Sequence, residues 1–114
     1  MEVLVKRIYD APEKDDGVRV LVDRLWPRGM SKKRAAIDMW AKELAPSKEL
    51  RSWFHEDKEK RLKDFERKYA RELQSQTSLL RTYLPQDQHI TIVTAVKEME
   101  YSHVPTLQKF LKRR

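Results

Sequence analysis

The run from Ile90 to Val96 is the feature of this sequence that most constrains its fold. Apart from Thr91 and Thr94 it is entirely aliphatic, in a chain of which 38% of the residues are charged. β-Branched residues favour strands, and a nearly continuous apolar run is typical of a strand covered on both faces. The run therefore predicts a central strand, with other elements packed on each side of its sheet.

Two further strands are expected near the N-terminus. One segment begins at Val3 and ends near Tyr9-Asp10, and a second covers 18–23. Both are rich in Val, Ile and Leu, and Pro12 and Gly17 mark the loop between them. A parallel pairing needs a longer crossover than this loop, so a hairpin is the simplest arrangement of the two strands. These two strands and the strand at 90–96 would then form a small mixed sheet.

Helices are predicted around this sheet, because capping side chains precede segments with helical apolar spacing. Ser31, Ser47 and Asp57 would each cap a helix, and Ser102 would cap the last one. The helix after Asp57 has an apolar stripe at spacings of three and four residues, formed by Leu62, Phe65, Tyr69 and Leu73. A short helix is expected over 79–84. Residues 37–44 fit a helical face and a strand face equally well.

The fold class predicted from these elements is α/β, with a small mixed sheet flanked by helices. The chain has 114 residues, which suits a single domain over 1–114. There are no cysteines, so disulfides, cysteine-bound zinc and thiol catalysis are excluded. No long apolar run and no signal-like N-terminus is found, so we expect a cytoplasmic protein with no membrane association.

The first candidate site is the heptapeptide Asp23-Arg24-Leu25-Trp26-Pro27-Arg28-Gly29, which follows a predicted buried strand. Ligands commonly bind beyond strand ends in α/β sheets, and two guanidinium groups can grip an anion in a bidentate manner. Arg24, Trp26 and Arg28 are therefore candidate ligand-binding residues, with Asp23 available for catalysis. The alternative is structural: an ion pair between Asp23 and an arginine would hold a tight turn.

The second candidate site is Ser102-His103, at the start of the last predicted helix. Free backbone amides beside an imidazole suit an anion, and a histidine can act as a general acid or base near neutral pH. A lone histidine is nevertheless more often structural. His55, His89 and His103 lack metal-ligand spacing, and two glycines cannot build a phosphate-binding loop, so no metal or cofactor is expected.

The heptapeptide at 23–29, the stretch 44–54 and the segment 95–103 resemble domain-of-unknown-function family 488, in its YeaO-like branch. The resemblance implies a polar cluster in this sequence, composed of Arg7, Arg19, Asp23, Arg24, Trp26, Pro27, Arg28, Gly29, Pro46, Ser47, Arg51, Trp53 and His103. It thereby adds Arg7 and Arg19 to the candidate ligand-binding residues, and it favours a strand within 37–44. The sequence departs from the family pattern at Glu98, Ser102 and Val104.

Our leading hypothesis for function is binding of a small anionic molecule, a phosphate or a carboxylate, where Arg24, Arg28 and His103 share a pocket. The net charge of +7 supports an anionic partner. The alternatives are a weak, non-specific nucleic-acid-binding module using a basic stripe over 48–71, and an interaction protein without pocket chemistry. Whether the protein is an enzyme is left open by the sequence.

Overall fold

The computed structural model describes residues 2–76, 78, 84 and 89–113. Within these residues four strands form one sheet, in the spatial order β1-β4-β2-β3. Their bounds are β1 Val3–Arg7, β2 Val18–Leu21, β3 Met39–Trp40 and β4 Ile90–Thr94. All five residues of β4 are buried, as the apolar run predicted. The α/β class, with helices flanking one small sheet, is confirmed.

Four α-helices accompany the strands in the described part of the chain. They are α1 Lys32–Ala35, α2 Lys48–His55, α3 Lys58–Ser75 and α4 Val104–Lys112. The side chains of Ser31, Ser47 and Asp57 accept backbone amides at the starts of α1, α2 and α3, which confirms these three caps. The predicted helix over 79–84 lies outside the described residues except for Leu84, which is buried.

The sheet is parallel throughout, so the predicted hairpin, and with it the mixed sheet, is wrong. β1 and β2 do not pair with each other, because β4 lies between them and pairs in parallel with both. Ten residues, 8–17, carry the chain from the end of β1 back to the start of β2. They can span up to about 33–36 Å, whereas a five-residue strand measures only about 17 Å. An extended crossover is therefore long enough without a helix.

Asp16, in the 3-10 turn Lys14–Asp16, anchors this crossover to the sheet. Its carboxylate forms ion pairs with Lys6 at 2.8 Å and with Arg19 at 2.6 Å, and its carbonyl accepts the Thr91 hydroxyl at 2.6 Å. Burial raises the pKa of Asp16, but hydrogen bonds from Lys6, the Glu13 amide and Arg19 outweigh it and lower that pKa to about 2. The carboxylate is therefore charged at neutral pH.

The main hydrophobic core lies between the sheet and helices α2, α3 and α4. Phe65 and Tyr69 of the apolar stripe and Ile92 of the central strand are buried there, as predicted, whereas Trp53 packs against this core only half-buried. A smaller cluster on the opposite sheet face contains Leu21 and Val93. The ambiguous segment 37–44 contains both kinds of element: β3 pairs with β2, and a 3-10 turn follows at Lys42–Leu44.

Candidate functional site

A cavity of about 340 Å³ lies beyond the carboxyl ends of β2 and β4. Asp23 and Arg24, which follow β2, and Ala95, which follows β4, contribute to its lining. The two strands pair with each other in parallel, and this pairing brings the two polar segments together. The crevice beyond adjacent parallel strands is the position at which α/β sheets usually bind ligands.

Asp23 connects the two strand ends through its carboxylate. One oxygen accepts a hydrogen bond from the Thr94 hydroxyl at 2.7 Å, and the other accepts the Ala95 amide at 2.8 Å. Among the described residues no ion pair joins Asp23 to an arginine, which was the structural alternative considered for this turn. The carboxylate instead fixes the cavity floor.

His103 lies at the floor of the same cavity and is buried. Its Nε2 lies 3.0 Å from the carbonyl oxygen of Val22 and 3.7 Å from Oδ1 of Asp23. Since a carbonyl only accepts, Nε2 carries the hydrogen. Burial lowers the pKa of His103 below its ordinary value, against the raising effects of Asp23 and of the Val22 hydrogen bond. The ring is therefore neutral at neutral pH, and its Nε2–H is used within the protein.

Ser102 supports the start of α4 beside His103. Its hydroxyl donates to the carbonyl of Met99 at 2.7 Å and accepts the amide of Val104 at 3.2 Å. The prediction that Ser102 caps the last helix is wrong, because the N-cap residue is His103 and Ser102 lies one residue before it. Both functions of the hydroxyl are occupied by the backbone.

Arg24 is the most unusual side chain of the lining. Its Nη2 donates to the carbonyl of Pro46 at 2.9 Å, whereas its Nε is buried and has no hydrogen-bond partner in the part of the chain that is described. Nearly all buried donors in folded proteins are paired, so an orphaned guanidinium nitrogen requires an explanation. Here the nitrogen belongs to a residue that lines a cavity.

Two further cations line the cavity, Arg51 from α2 and Lys58 from the start of α3. Their charge is felt by His55, which also lines it: burial, followed by the positive charges of Lys58 and Arg51, lowers the pKa of His55. Sequence reasoning overlooked Lys58 and His55, because charge on these helices was attributed to a solvated face. The spacing of Arg51, Phe54 and His55, which places them on one helical face, was the available signal.

The rest of the lining is mainly apolar and aromatic. It includes Leu25, Trp26, Pro27, Phe54, Phe65 and Tyr101. Trp26 is held by a hydrogen bond from its Nε1 to the carbonyl of Met30 at 2.7 Å and by edge-on contact with Trp40. Phe54 stacks on Phe65 with ring centroids 4.0 Å apart. These contacts fix the aromatic wall in place.

Three predicted site residues lie outside the cavity lining. Arg7 donates to the carbonyls of Val96 and Ala95 and stacks on Tyr9. Arg19 is buried in the ion pair with Asp16, and it donates to the carbonyls of Ala35 and Ala36 at the end of α1. Arg28 is exposed. The structure therefore brings Asp23, Arg24, Trp26, Ser102 and His103 together, and leaves Arg7, Arg19 and Arg28 elsewhere.

Two further features are absent from the described residues. No group of three or more histidine or carboxylate side chains there is arranged to hold a metal ion. No helix in the same part of the chain combines the length and apolar character needed to cross a membrane.

Comparison with known proteins supplies the family. Uncharacterised proteins of Mycobacterium tuberculosis and Mycobacterium bovis are each 40% identical to the chain over 113 residues, covering 98% of this chain and 95% of theirs. The Escherichia coli protein YeaO is 56% identical over 55 residues, 48% of each chain. No solved structure matches. A family model described as the inactive DUF488-N3 subclade matches residues 2–114, and the chain belongs to this family, DUF488-N3i.

Proposed function

We propose that this protein binds a small organic anion in the cavity beyond β2 and β4, and that it does so without transforming it. The observation that carries the proposal is the half-buried guanidinium of Arg24, which lines the cavity together with Arg51 and Lys58. A guanidinium has five N–H donors, so Arg24 can hold the carbonyl of Pro46 and still donate to a ligand oxygen. Hydrogen bonds from a charged donor are among the stronger ones in proteins.

The charge around the cavity favours an anion as well. Arg24, Arg51 and Lys58 contribute three positive charges to the lining, and Asp23 contributes one negative charge. His103 contributes none, because burial lowers its pKa. Burial lowers the pKa of His55, which also lines the cavity, and the positive charges of Lys58 and Arg51 lower it further. A bound anion would offset these charges.

The groups that catalysis would require are already engaged. Both oxygens of Asp23 accept hydrogen bonds from the end of β4, and Nε2 of His103 donates to Val22. Because burial lowers its pKa, the neutral ring of His103 is a poor general acid near neutral pH. The family description as an inactive subclade supports the same conclusion. In this proposal Asp23 and His103 shape and hold the floor of the site, and Ser102 holds the start of α4 beside it.

The test is an NMR titration of the protein with acetate, inorganic phosphate, benzoate and phenylacetate. At least one of these probes should shift the guanidinium resonances of Arg24 and raise the pKa of His55, since a bound anion stabilises the imidazolium. Lys58→Ala should weaken binding several-fold, whereas Lys60→Ala, an exposed lysine two residues along α3, should not. Absence of any shift at the cavity, or equal effects of the two variants, would overturn the proposal.

A further inference from the structure

We infer that the ligand is an aromatic carboxylate, a single ring system with one carboxylate attached by a short link. This inference rests on the proposed function and deepens it by naming the ligand class. One cavity of about 340 Å³ contains both a cationic group of side chains and a larger apolar and aromatic wall, and the inference follows from this combination. A volume near the low end of the range for ligand sites suits a molecule of this size.

The apolar wall is rigid before any ligand binds. Trp26 is fixed by its hydrogen bond to Met30 and by its edge-on contact with Trp40 at 5.4 Å between ring centroids. On the helical side, Phe54 is 2% exposed and stacked on Phe65. A preformed surface of this kind loses little conformational freedom on binding, so it favours a flat, rigid ligand over a flexible one.

Leu25 is the part of the wall that the protein itself leaves uncovered. It lines the cavity and is 69% exposed, more than any other large apolar side chain that is exposed in the described residues. Inorganic phosphate or acetate would leave this side chain in water. A ligand with an apolar body would cover it, and the burial would add to affinity.

The cationic group indicates a carboxylate rather than a phosphate. The lining contains one guanidinium beside the strand ends, Arg24, and two cations from the helices, Arg51 and Lys58, and all three are half-buried. A carboxylate presents two oxygens and one charge, which one guanidinium and a nearby cation can satisfy. A phosphate monoester has three terminal oxygens and up to two charges, and sites for it normally offer several convergent donors.

The experiment compares dissociation constants, measured by NMR or calorimetry, for five probes. Acetate and inorganic phosphate carry the anion alone, benzyl alcohol carries the ring alone, phenylacetate carries both, and phenyl phosphate exchanges the anionic group. Phenylacetate should bind at least about tenfold more tightly than each of the other four, because it alone uses both parts of the lining.

Two outcomes separate the inference from the proposed function. If none of the five probes binds, the proposed function is wrong and the inference falls with it. If acetate, inorganic phosphate or phenyl phosphate binds as tightly as phenylacetate, the proposed function stands and the aromatic carboxylate is wrong. Tighter binding of benzyl alcohol than of phenylacetate would overturn both.

A matched pair of variants tests the apolar half of the site. Leu25→Asn should weaken phenylacetate binding about tenfold and leave acetate binding unchanged, because Leu25 contacts only the ring. Leu4 is also exposed, at 40%, but does not line the cavity, so Leu4→Asn serves as the control. Both side chains are on the surface, so neither change should unfold the protein. Equal phenylacetate affinities in the two variants would contradict the inference.

Discussion

The Oδ1 atom of Asp23 accepts a hydrogen bond from the hydroxyl of Thr94, the last residue of β4, at 2.7 Å. Its second oxygen accepts the next backbone amide, that of Ala95, at 2.8 Å. The residue two positions beyond β2 is thus joined to the end of the neighbouring strand, which positions Arg24 over the cavity. One half-buried carboxylate therefore links the fold and the site.

Replacing Asp23 with alanine should lower the free energy of unfolding by about 2–4 kcal/mol, because two hydrogen bonds to a charged acceptor are lost and their donors remain. Urea denaturation measures this change. Asp15→Ala, at an exposed aspartate in the crossover, is the control and should change stability by less than about 0.5 kcal/mol. If Asp23→Ala lowers the free energy of unfolding as little as Asp15→Ala does, water accepts these hydrogen bonds in place of the carboxylate.

Phe65→Ala should cost about 3–5 kcal/mol, since the ring is 2% exposed and stacks between Phe54 and Tyr69. Thermal and chemical denaturation give this value directly. Lys63→Ala, at an exposed position two residues away on α3, should be nearly neutral. A cost below about 1 kcal/mol at Phe65 would contradict the assignment of the apolar stripe to the core.

Stability should fall at acid pH because of Asp16. Its pKa is about 2 in the folded protein and 3.8 in the unfolded chain, so the unfolded chain binds more protons between these values. The contribution, about 2 kcal/mol, is present above pH 4 and is lost as the pH falls through 2. Unfolding free energies of the native protein and of Asp16→Asn across pH 2–5 test this. Between pH 5 and pH 2 the Asp16→Asn variant should lose less unfolding free energy than the native protein does. Parallel curves of unfolding free energy against pH would refute the assignment of this loss to Asp16.

His103 should make the protein less stable as the pH falls below its ordinary pKa of 6.5. Burial lowers the folded-state pKa, so only the unfolded chain takes up the proton at first, and stability increases with pH in this range. NMR titration should show His103 titrating below pH 6.5. His103→Gln should flatten the stability profile more than His55→Gln does, and a His103 resonance that titrates at or above 6.5 would exclude a neutral buried ring.

Nucleic-acid binding should be weak and strongly dependent on salt. Within 48–71, Arg61 and Arg67 form ion pairs with Glu56 and Asp64, and Lys68 lies over the ring of Trp53. We expect dissociation constants of about 10⁻⁴ to 10⁻⁶ M near physiological salt, without sequence preference. Titration of labelled duplexes at two salt concentrations measures both. Sequence-selective binding that persists at the higher salt would favour the nucleic-acid hypothesis over the cavity.

The sequence was most informative where local chemistry decides the structure. The β-branched run in β4, the caps at Ser47 and Asp57, and the apolar stripe of α3 depend on neighbouring residues, and each is found as expected. The pairing partner of β1 could not be predicted from neighbouring residues. Its partner, β4, is more than eighty residues away, and a local loop length says nothing about a strand inserted from so far along the chain.

The candidate site shows the same limit. Arg24 and Arg28 are four residues apart, yet only Arg24 lines the cavity. The backbone after Arg28 turns through Gly29 at a φ of 74°, a left-handed conformation that suits glycine, and its direction cannot be obtained from residue types alone. Lys58 and His55 were overlooked because a charged helix looks the same in sequence whether it faces solvent or a cavity.

The position of β4 has a consequence for how the protein is made. While the ribosome is still producing the first eighty or so residues, β1 and β2 have no strand between them, and their backbone edges lack the partner they have in the finished sheet. The sheet can close only when one of the last segments to be synthesised enters its centre, so folding must follow translation of nearly the whole chain. Nascent chains that stall before residue 90 should expose unpaired strand edges, which makes them substrates for chaperones and prone to aggregation.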